Sequence, residues 1–292
     1  MKVREIENGV VLEGVKDFEL PHIFECGQCF RWNKEEDGSY TGVAFKRLIN
    51  LKKEEDKVFI NNTTYEDYKN IWHHYFDMDR DYGNIKKTLS GLDETMETAV
   101  NFGHGIRILK QDEWETLVSF ITSANNRISM IKKAIEALSK NYGEYIGEYR
   151  GRKYYSFPTP ESLNGLEVED IQFKGIGFRG KYILNAAKFV TEKTVDIYKL
   201  RDLNTSEVRE QLMLFPGVGP KVSDCIMLFS MDKDDAFPID VWVKRVMEYF
   251  YLPEGTGLKK IQKFAQEKFG NLAGFAQQYL FYYARELKIK KK

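Results

Sequence analysis

Lys221 is the residue whose setting asks for chemistry. It follows the turn Pro216-Gly217-Val218-Gly219-Pro220 and opens an apolar segment of helical spacing, Lys221–Met231. The segment before the turn, Val208–Phe215, has the same spacing, so the stretch from about 205 to 231 reads as helix, tight hairpin, helix. Gly217 and Gly219 can take backbone angles that other residues avoid. The start of the second helix presents unpaired N–H groups, and these favour a phosphate. A lysine is out of place there, because the helix dipole disfavours an ammonium at an N-terminus. The same field favours a neutral amine, which is a nucleophile able to form a Schiff base. A plain phosphate contact fits the residue equally well.

Asp240 lies nineteen positions on, just before the apolar run Val241–Phe250. It reads as a helix N-cap, and a capping carboxylate is fixed in orientation. Facing Lys221, it could help deprotonate the amine and stabilise a cationic sugar-like transition state. Cys225 is four residues after Lys221 and shares its helix face; its ordinary role is a small core residue. Gln277 and Phe281 are also four apart. They are a surface amide and a core ring, or a pair that stacks on a base and bonds its edge. Ser123-Ala124-Asn125-Asn126-Arg127 joins two apolar helices; its amides suit a turn or base edges. Lys174-Gly175-Ile176-Gly177-Phe178-Arg179-Gly180 is a glycine-rich loop with an aromatic and a cation at its tip. It follows no strand, which weakens a dinucleotide-binding reading. A wedge between base pairs would explain the phenylalanine.

Positioning these residues requires more than one kind of element. Residues 1 to about 62 hold short strand patterns at Val10–Leu12, Phe30–Trp32, Tyr40–Phe45, Arg47–Leu51 and Val58–Asn61. Turn chemistry separates them, which favours antiparallel hairpins. Lys46 suggests a tight reversal, though no glycine marks it. From Tyr65 the period is helical. After the break at Asn101–Gly105, helices are expected at Asp112–Ser123, Arg127–Asn141, Pro160–Val168, Lys181–Glu192, Thr205–Phe215, Lys221–Met231, Val241–Phe250, Leu258–Phe269 and Leu272–Leu287. The fold class is therefore α+β by segregation: a β-rich N-terminal domain with attached helices over 1–101, then an all-α region over 102–292.

Composition sets further bounds. Lysine plus arginine number 44, and aspartate plus glutamate 44, so net charge is zero. Indiscriminate nucleic-acid binding is disfavoured, but a local basic face is not. The tail Lys288-Ile289-Lys290-Lys291-Lys292 reads as a solvated terminus. No apolar run is long enough for a membrane span and no signal-peptide core is present, so an intracellular, cytoplasmic location is expected. Cys26 and Cys29 form a C-x-x-C that no second ligand pair completes; no metal site follows, and reduced thiols are expected.

Six ordered motifs resemble the 8-oxoguanine DNA glycosylase/AP lyases of the helix-hairpin-helix superfamily. They are Gly27-Gln-Cys-Phe-Arg-Trp32, Ser123-Ala-Asn-Asn126, Gly175-Ile-Gly-Phe-Arg179, Leu214-Phe-Pro-Gly-Val-Gly-Pro-Lys-Val222, Pro238-Ile-Asp240 and Phe275-Ala-Gln-Gln-Tyr-Leu-Phe281. The resemblance implies that Lys221 attacks the sugar and expels the base. A Schiff base then permits β-elimination 3′ to the lesion, with Asp240 in support. It implies that Cys225 and Phe281 sandwich the flipped base and that Gln277 reads its pairing edge. The Gly27 carbonyl would accept the N7 hydrogen that 8-oxoguanine has and guanine lacks; guanine N7 is itself an acceptor. Gly217, Gly219, Lys221 and Val222 would offer N–H groups to phosphates. Asn125, beside Asn126, would fill the gap left by the base. Phe178 would be the wedge, and Arg179 one of two arginines on the opposite cytosine.

The second arginine's position holds Met130, which donates no hydrogen bond, so a weaker preference for opposite cytosine is expected. Trp242 stands where many members carry a histidine near a phosphate. The absence of cysteine after Cys225 excludes the iron–sulfur branch. The implied partner is double-stranded DNA containing 8-oxoguanine, bound by a monomer without a chemical cofactor; a cation on hairpin carbonyls near Phe215 and Val218 is implied by resemblance only. The competing readings are the same fold excising an alkylated purine, and a non-catalytic hairpin protein that only binds DNA. Gly27 with the Cys225/Phe281 pair counts against the first, and Lys221 with Asp240 against the second.

Overall fold

The structure is a computed structural model and describes residues 1–287. The basic tail over 288–292 lies outside the described residues. Six strands form one antiparallel sheet: β1 (Lys2–Ile6), β2 (Gly9–Glu13), β3 (Trp32–Lys34), β4 (Tyr40–Ala44), β5 (Arg47–Glu54) and β6 (Lys57–Asn61). Their spatial order is β1-β2-β6-β5-β4-β3. The chain alternates within β6, where Val58 and Ile60 face inward between more exposed neighbours. The reversal between β4 and β5 is made by Phe45 and Lys46, both at positive φ (48° and 59°). Two left-handed residues give the two-residue turn whose twist matches antiparallel strands, here without glycine.

A short helix, α1 (Leu20–Phe24), precedes β3, and a helical stretch packs on the sheet. That stretch runs through α2 (Tyr65–Asp67), a π-helical turn at Tyr68–Trp72, and α3 (His73–Tyr75). Their shared core is aromatic. Phe24 stacks on Trp32 with centroids 4.2 Å apart, and the Trp32 indole donates to the Tyr75 hydroxyl at 2.8 Å. Next come α4 (Tyr82–Ser90) and α5 (Glu94–Phe102). Their buried side chains, Ile85, Leu89, Met96 and Val100 among them, join the helical core rather than the sheet's.

The rest comprises α6 (Glu113–Ser123), α7 (Ile128–Tyr142), α8 (Pro160–Leu163), α9 (Gly180–Thr191), α10 (Thr205–Leu212), α11 (Pro220–Ser230), α12 (Val241–Phe250), α13 (Leu258–Phe269) and α14 (Ala273–Leu287). Three local expectations need correction. β1 pairs with β2 from Lys2↔Glu13 to Ile6↔Gly9, although its polar residues hid the strand. The helical half contains a hairpin, β7 (Tyr145–Tyr149) and β8 (Arg152–Tyr155), so it is not all-α. Arg150 and Gly151, both at positive φ, make its turn. The expected helix Pro160–Val168 ends at Leu163, because Asn164 leaves helical geometry at ψ 128°. No described helix is long and apolar enough to cross a membrane.

The loop after α1 is the joint between the two halves. Cys26 packs into the helical core and Cys29 into the sheet core; both thiols are free and buried. Burial pushes the Cys26 thiol up to about 11, so it behaves as packing. Between them Gln28 is fully buried. Its amide donates to Ile23 O (2.9 Å) and Arg107 O (2.8 Å) and accepts from Leu109 N (2.9 Å). Gln111 returns a bond to Gln28 O at 2.8 Å, and its own N–H reaches Phe229 O, near the end of α11, at 2.9 Å. Gln28→Leu keeps the bulk but leaves these buried backbone groups unpaired. We expect it to lower unfolding free energy by about 3 kcal/mol in urea titrations. A loss below about 1 kcal/mol would show that water or a shift of the loop satisfies them.

Candidate active site

The hairpin is built from its turn outward. Asn204 caps α10, and the Glu207 side chain closes the reciprocal capping box. Gly217 takes φ 89°, and a Cβ there would lie 2.7 Å from the Tyr182 ring, so only glycine fits. Gly219 does not use glycine's conformational freedom: it is extended, with φ −103° and ψ −177°. A Cβ on it would meet open space, which leaves an unobstructed approach. Gly219 caps α11 without a side-chain hydrogen bond, and Pro220 has no N–H to give. The first bond of the ladder is Ser223 N–H to Gly219 O at 2.9 Å. Helix geometry leaves the N–H groups of Lys221 and Val222 at the open end.

Lys221 is half-buried, and its ammonium lies 5.2 Å from the centroid of the Phe120 ring. It lines a cleft of about 960 Å³ together with Asp240, Trp242, Met130 and the Ser123–Arg127 turn. Asp240 caps α12, accepting from Val243 N–H at 2.8 Å, so its carboxylate is fixed at the cleft wall. Cys225 is buried one turn along from Lys221. Burial pushes its thiol up to about 11; the Lys221 charge is the largest opposing influence, while Asp224 and Asp240 add to the rise. Asp224 is itself buried and held by Arg209 at 2.9 and 2.8 Å, bracing α11 against α10. Burial raises that carboxyl to about 6.

A second group of residues lies on and against α14. A Cβ on Gly27 would sit 3.1 Å from the Phe281 ring, and Gly27 has φ 85°, so the loop backbone touches that ring as only glycine can. Gln278 anchors the loop from the helix side, donating to Cys26 O at 2.8 Å. Gln277 is 5% exposed, and its Oε1 is buried without a hydrogen-bond partner. Native buried acceptors are rarely left so, and this one can take a donor from a guest. Phe30, three residues past Gly27, meets Phe120 edge-on at 5.6 Å, and Phe120 lies beneath Lys221. Those two rings connect the groups.

The Ser123–Arg127 turn lines the cleft, and the loop over 174–180 packs against that turn. Asn125 is exposed with φ 49°, a left-handed conformation that asparagine tolerates. Asn126 turns inward, donating to Thr122 O (3.0 Å) and Gly175 O (2.9 Å). Phe178 is 57% exposed. Arg179 is buried, its guanidinium directed at the carbonyls of Ala124, Asn125 and Ile176. Trp242 is half-exposed, and the Arg245 guanidinium stands 5.1 Å from its ring. Phe120, Gln28, Gln278 and the Arg209–Asp224 pair escaped the sequence reading. Gln28 and Gln278 lie inside quoted motifs, but nothing in one sequence marks an amide as buried. Among the described residues no cluster of three or more His, Cys, Asp or Glu side chains could hold a metal ion.

The 8-oxoguanine DNA glycosylase N-terminal domain profile matches residues 10–117, and the profile of the HhH-GPD superfamily base excision DNA repair proteins matches residues 118–271. The chain belongs to the HhH-GPD superfamily. Within it, the N-glycosylase/DNA lyase of Saccharomyces cerevisiae is 33% identical over 256 residues, covering 80% of this chain and 68% of that protein. The N-glycosylase/DNA lyase OGG1 of Arabidopsis thaliana is 28% identical over 278 residues, covering 90% and 76%. The crystal structure of Clostridium acetobutylicum 8-oxoguanine glycosylase/lyase, in complex with double-stranded DNA containing cytosine opposite 8-oxoG, superposes with a TM-score of 0.96. It is 48% identical and covers 99% of both chains. The 3-methyladenine DNA-glycosylase of Archaeoglobus fulgidus shares the fold at 19% identity and a TM-score of 0.76.

The environment of Cys225 in this superfamily member makes a chemical prediction. With its pKa near 11, the thiolate at pH 8 is scarcer than on an ordinary cysteine by about two orders of magnitude. Alkylation of native protein, followed at Cys225 by mass spectrometry, should therefore be slow through pH 9. Lys221→Gln should slow it further, because it removes the nearby positive charge. Faster labelling in Lys221→Gln would mean that the lysine does not face the thiol.

Proposed function

We propose that the chain is a base-excision DNA repair enzyme, a bifunctional 8-oxoguanine DNA glycosylase/AP lyase acting on double-stranded DNA. The observation that carries this is the convergence of Lys221, Cys225 and Asp240 beside the α10–α11 hairpin, in a chain of the HhH-GPD superfamily. The hairpin amides and the start of α11 hold backbone phosphates. The flipped nucleotide then enters between α11 and α14. Cys225, kept a neutral thiol, and the Phe281 ring take the two faces of the base. Gln277 bonds its pairing edge, and the Gly27 carbonyl accepts the N7 hydrogen. The Lys221 amine attacks the sugar C1′ and expels the base, while Asp240 steadies the positive charge that develops on the sugar. The proton lost by the amine passes to the departing base, and opening of the C1′–O4′ bond gives the Schiff base; this acidifies the 2′ hydrogen, whose loss expels the 3′ phosphate and cuts the strand 3′ to the lesion. One chain supplies every residue named, so a monomer suffices.

Discrimination against guanine rests on one hydrogen. The same carbonyl that accepts from 8-oxoguanine would face the N7 lone pair of guanine, leaving two buried acceptors opposed. Opposite-base recognition is weaker in this reading, because Met130 lines the cleft and offers no donor.

Borohydride trapping on duplexes with 8-oxoguanine opposite each base tests the proposal. Wild type should form a covalent adduct, and Lys221→Gln none. Asp240→Asn should slow excision by about a hundredfold or more. Absence of an adduct with folded wild-type protein would remove the lyase step. Met130→Arg restores a two-point donor and should raise the cytosine-over-adenine excision ratio about tenfold. An unchanged ratio would show that Met130 does not face the opposite base.

A further inference from the structure

The loop over 174–180 and the hairpin turn over 215–219 are bridged by one ring. Tyr182 stands on the first turn of α9, half-buried against the helical core. On one side it meets the hairpin backbone. A Cβ on Gly217 would lie 2.7 Å from Tyr182 Cγ, 2.8 Å from Cδ2 and 3.0 Å from Cβ, so the bare Cα of that glycine rests on the root of the ring. On the other side the Phe178 ring meets it edge-on, with centroids 6.3 Å apart and planes at 85°. The helix beneath Tyr182 is itself fixed along the hairpin. Ile183, Ala186 and Ala187 are fully buried, and Phe189, towards the other end of α9, packs on Phe215 with centroids 5.8 Å apart. Asn126 ties the 174–180 loop to the Ser123–Arg127 turn, donating to Gly175 O at 2.9 Å. Tyr182 ties it to the hairpin.

We propose that Tyr182 is a positioning residue: its ring fixes the span between Phe178 and the hairpin, so that phosphate binding at the hairpin drives the Phe178 wedge into the duplex. The inference rests on the proposed function for the roles of Phe178 and the hairpin. Parting a base stack costs free energy, and the wedge must draw it from contacts made elsewhere on the DNA. Phosphate contacts at the hairpin can supply it only where the wedge is held at a set distance from them. An aromatic ring anchored on a packed helix is such a spacer, because it has few rotamers and resists compression. The atoms nearest Gly217 belong to the ring and its stem, so the spacer needs the ring and not the hydroxyl.

The test follows single-turnover excision of 8-oxoguanine from two substrates. One is a continuous duplex; the other lacks the nucleotide opposite the lesion, so its stack is already loosened. Active protein is counted by stoichiometric titration with a duplex carrying a stable abasic analogue, so that partial unfolding does not enter the rates. Tyr182→Ala should lose about tenfold on the continuous duplex, and less than about twofold on the gapped one. Tyr182→Phe keeps the ring and should restore both rates. In a Phe178→Ala background, Tyr182→Ala should add no further loss, since the spacer acts through the wedge. An equal loss on both duplexes would make Tyr182 a structural residue and overturn the proposal. So would losses that multiply in the double variant, or a Tyr182→Phe variant as slow as Tyr182→Ala. A second readout needs no chemistry: 2-aminopurine beside a 2′-fluorinated 8-oxoguanine nucleotide, whose glycosidic bond resists cleavage, brightens as the stack opens. Wild type should give this rise and Tyr182→Ala a smaller one; no rise with wild type, or equal rises, would overturn the proposal. Wild-type protein that opens this duplex but excises nothing from the cleavable one would sink the proposed activity, while the fluorescence still decides the role of Tyr182.

Discussion

The site depends on one buried amide. Gly27, from the loop between α1 and β3, and Lys221, at the start of α11, are about two hundred residues apart in sequence, yet the proposed function brings both to one nucleotide. Gln28 supplies the register. Its three bonds tie the Gly27 loop to Ile23 and to the 107–109 segment, and Gln111 carries the link on to Phe229 on α11. Gln278 closes the frame from α14. Each bond is modest alone, but a break leaves a buried group unpaired, so the network tolerates little slack. In the proposed function, a slip of an ångström between Gly27 and Lys221 would separate recognition from attack.

Much of this was legible in the sequence because it lies in local signals. The hairpin was marked by Pro-Gly-x-Gly between two helical periods, and Asp240 by its place before an apolar run. The segregated α+β layout followed from the change of period near Tyr65. Elsewhere the signal was tertiary. Polar β1 is a strand because β2 offers it an edge, not because its residues alternate. The turn at Phe45-Lys46 accepts left-handed geometry because two strong strands impose it. Nothing in Arg179 itself says whether it faces solvent or a carbonyl cage; the answer lies in where the chain places the Ser123–Asn126 turn. Residue type gave the available chemistry there, and packing decided the direction in which it points.

Zero net charge needs reconciling with a polyanionic partner. The structure spends many acidic residues inward. Asp232 and Asp234 neutralise the buried Lys110, and Asp77 and Asp234 pair with Arg80. Asp224 is committed to Arg209. The cleft around Lys221 is lined by Arg127 and Lys244 as well, with Asp240 as its carboxylate. The balance of charge over the whole chain therefore says little about the balance at the cleft. In the proposed function, backbone N–H groups at the hairpin would add phosphate affinity with no formal charge at all. Such binding is local, which suits the proposed hold on one nucleotide rather than a coat on the duplex.

The neighbours of Lys221 bear on the nucleophilic role proposed for it. Two groups beside it could carry negative charge. Cys225 does not, because burial keeps its thiol neutral far above physiological pH. Asp240 is the remaining anion, and one of its oxygens is engaged by the Val243 N–H. The capping bond aims the carboxylate and shares its charge with the helix end, so Asp240 can stabilise a cationic sugar without a rigid ion pair to the lysine. On the far side Phe120 offers a ring face and no charge. A neutral thiol, a tethered carboxylate and an aromatic floor thus surround the amine with a single anion, whose charge is shared with the start of α12.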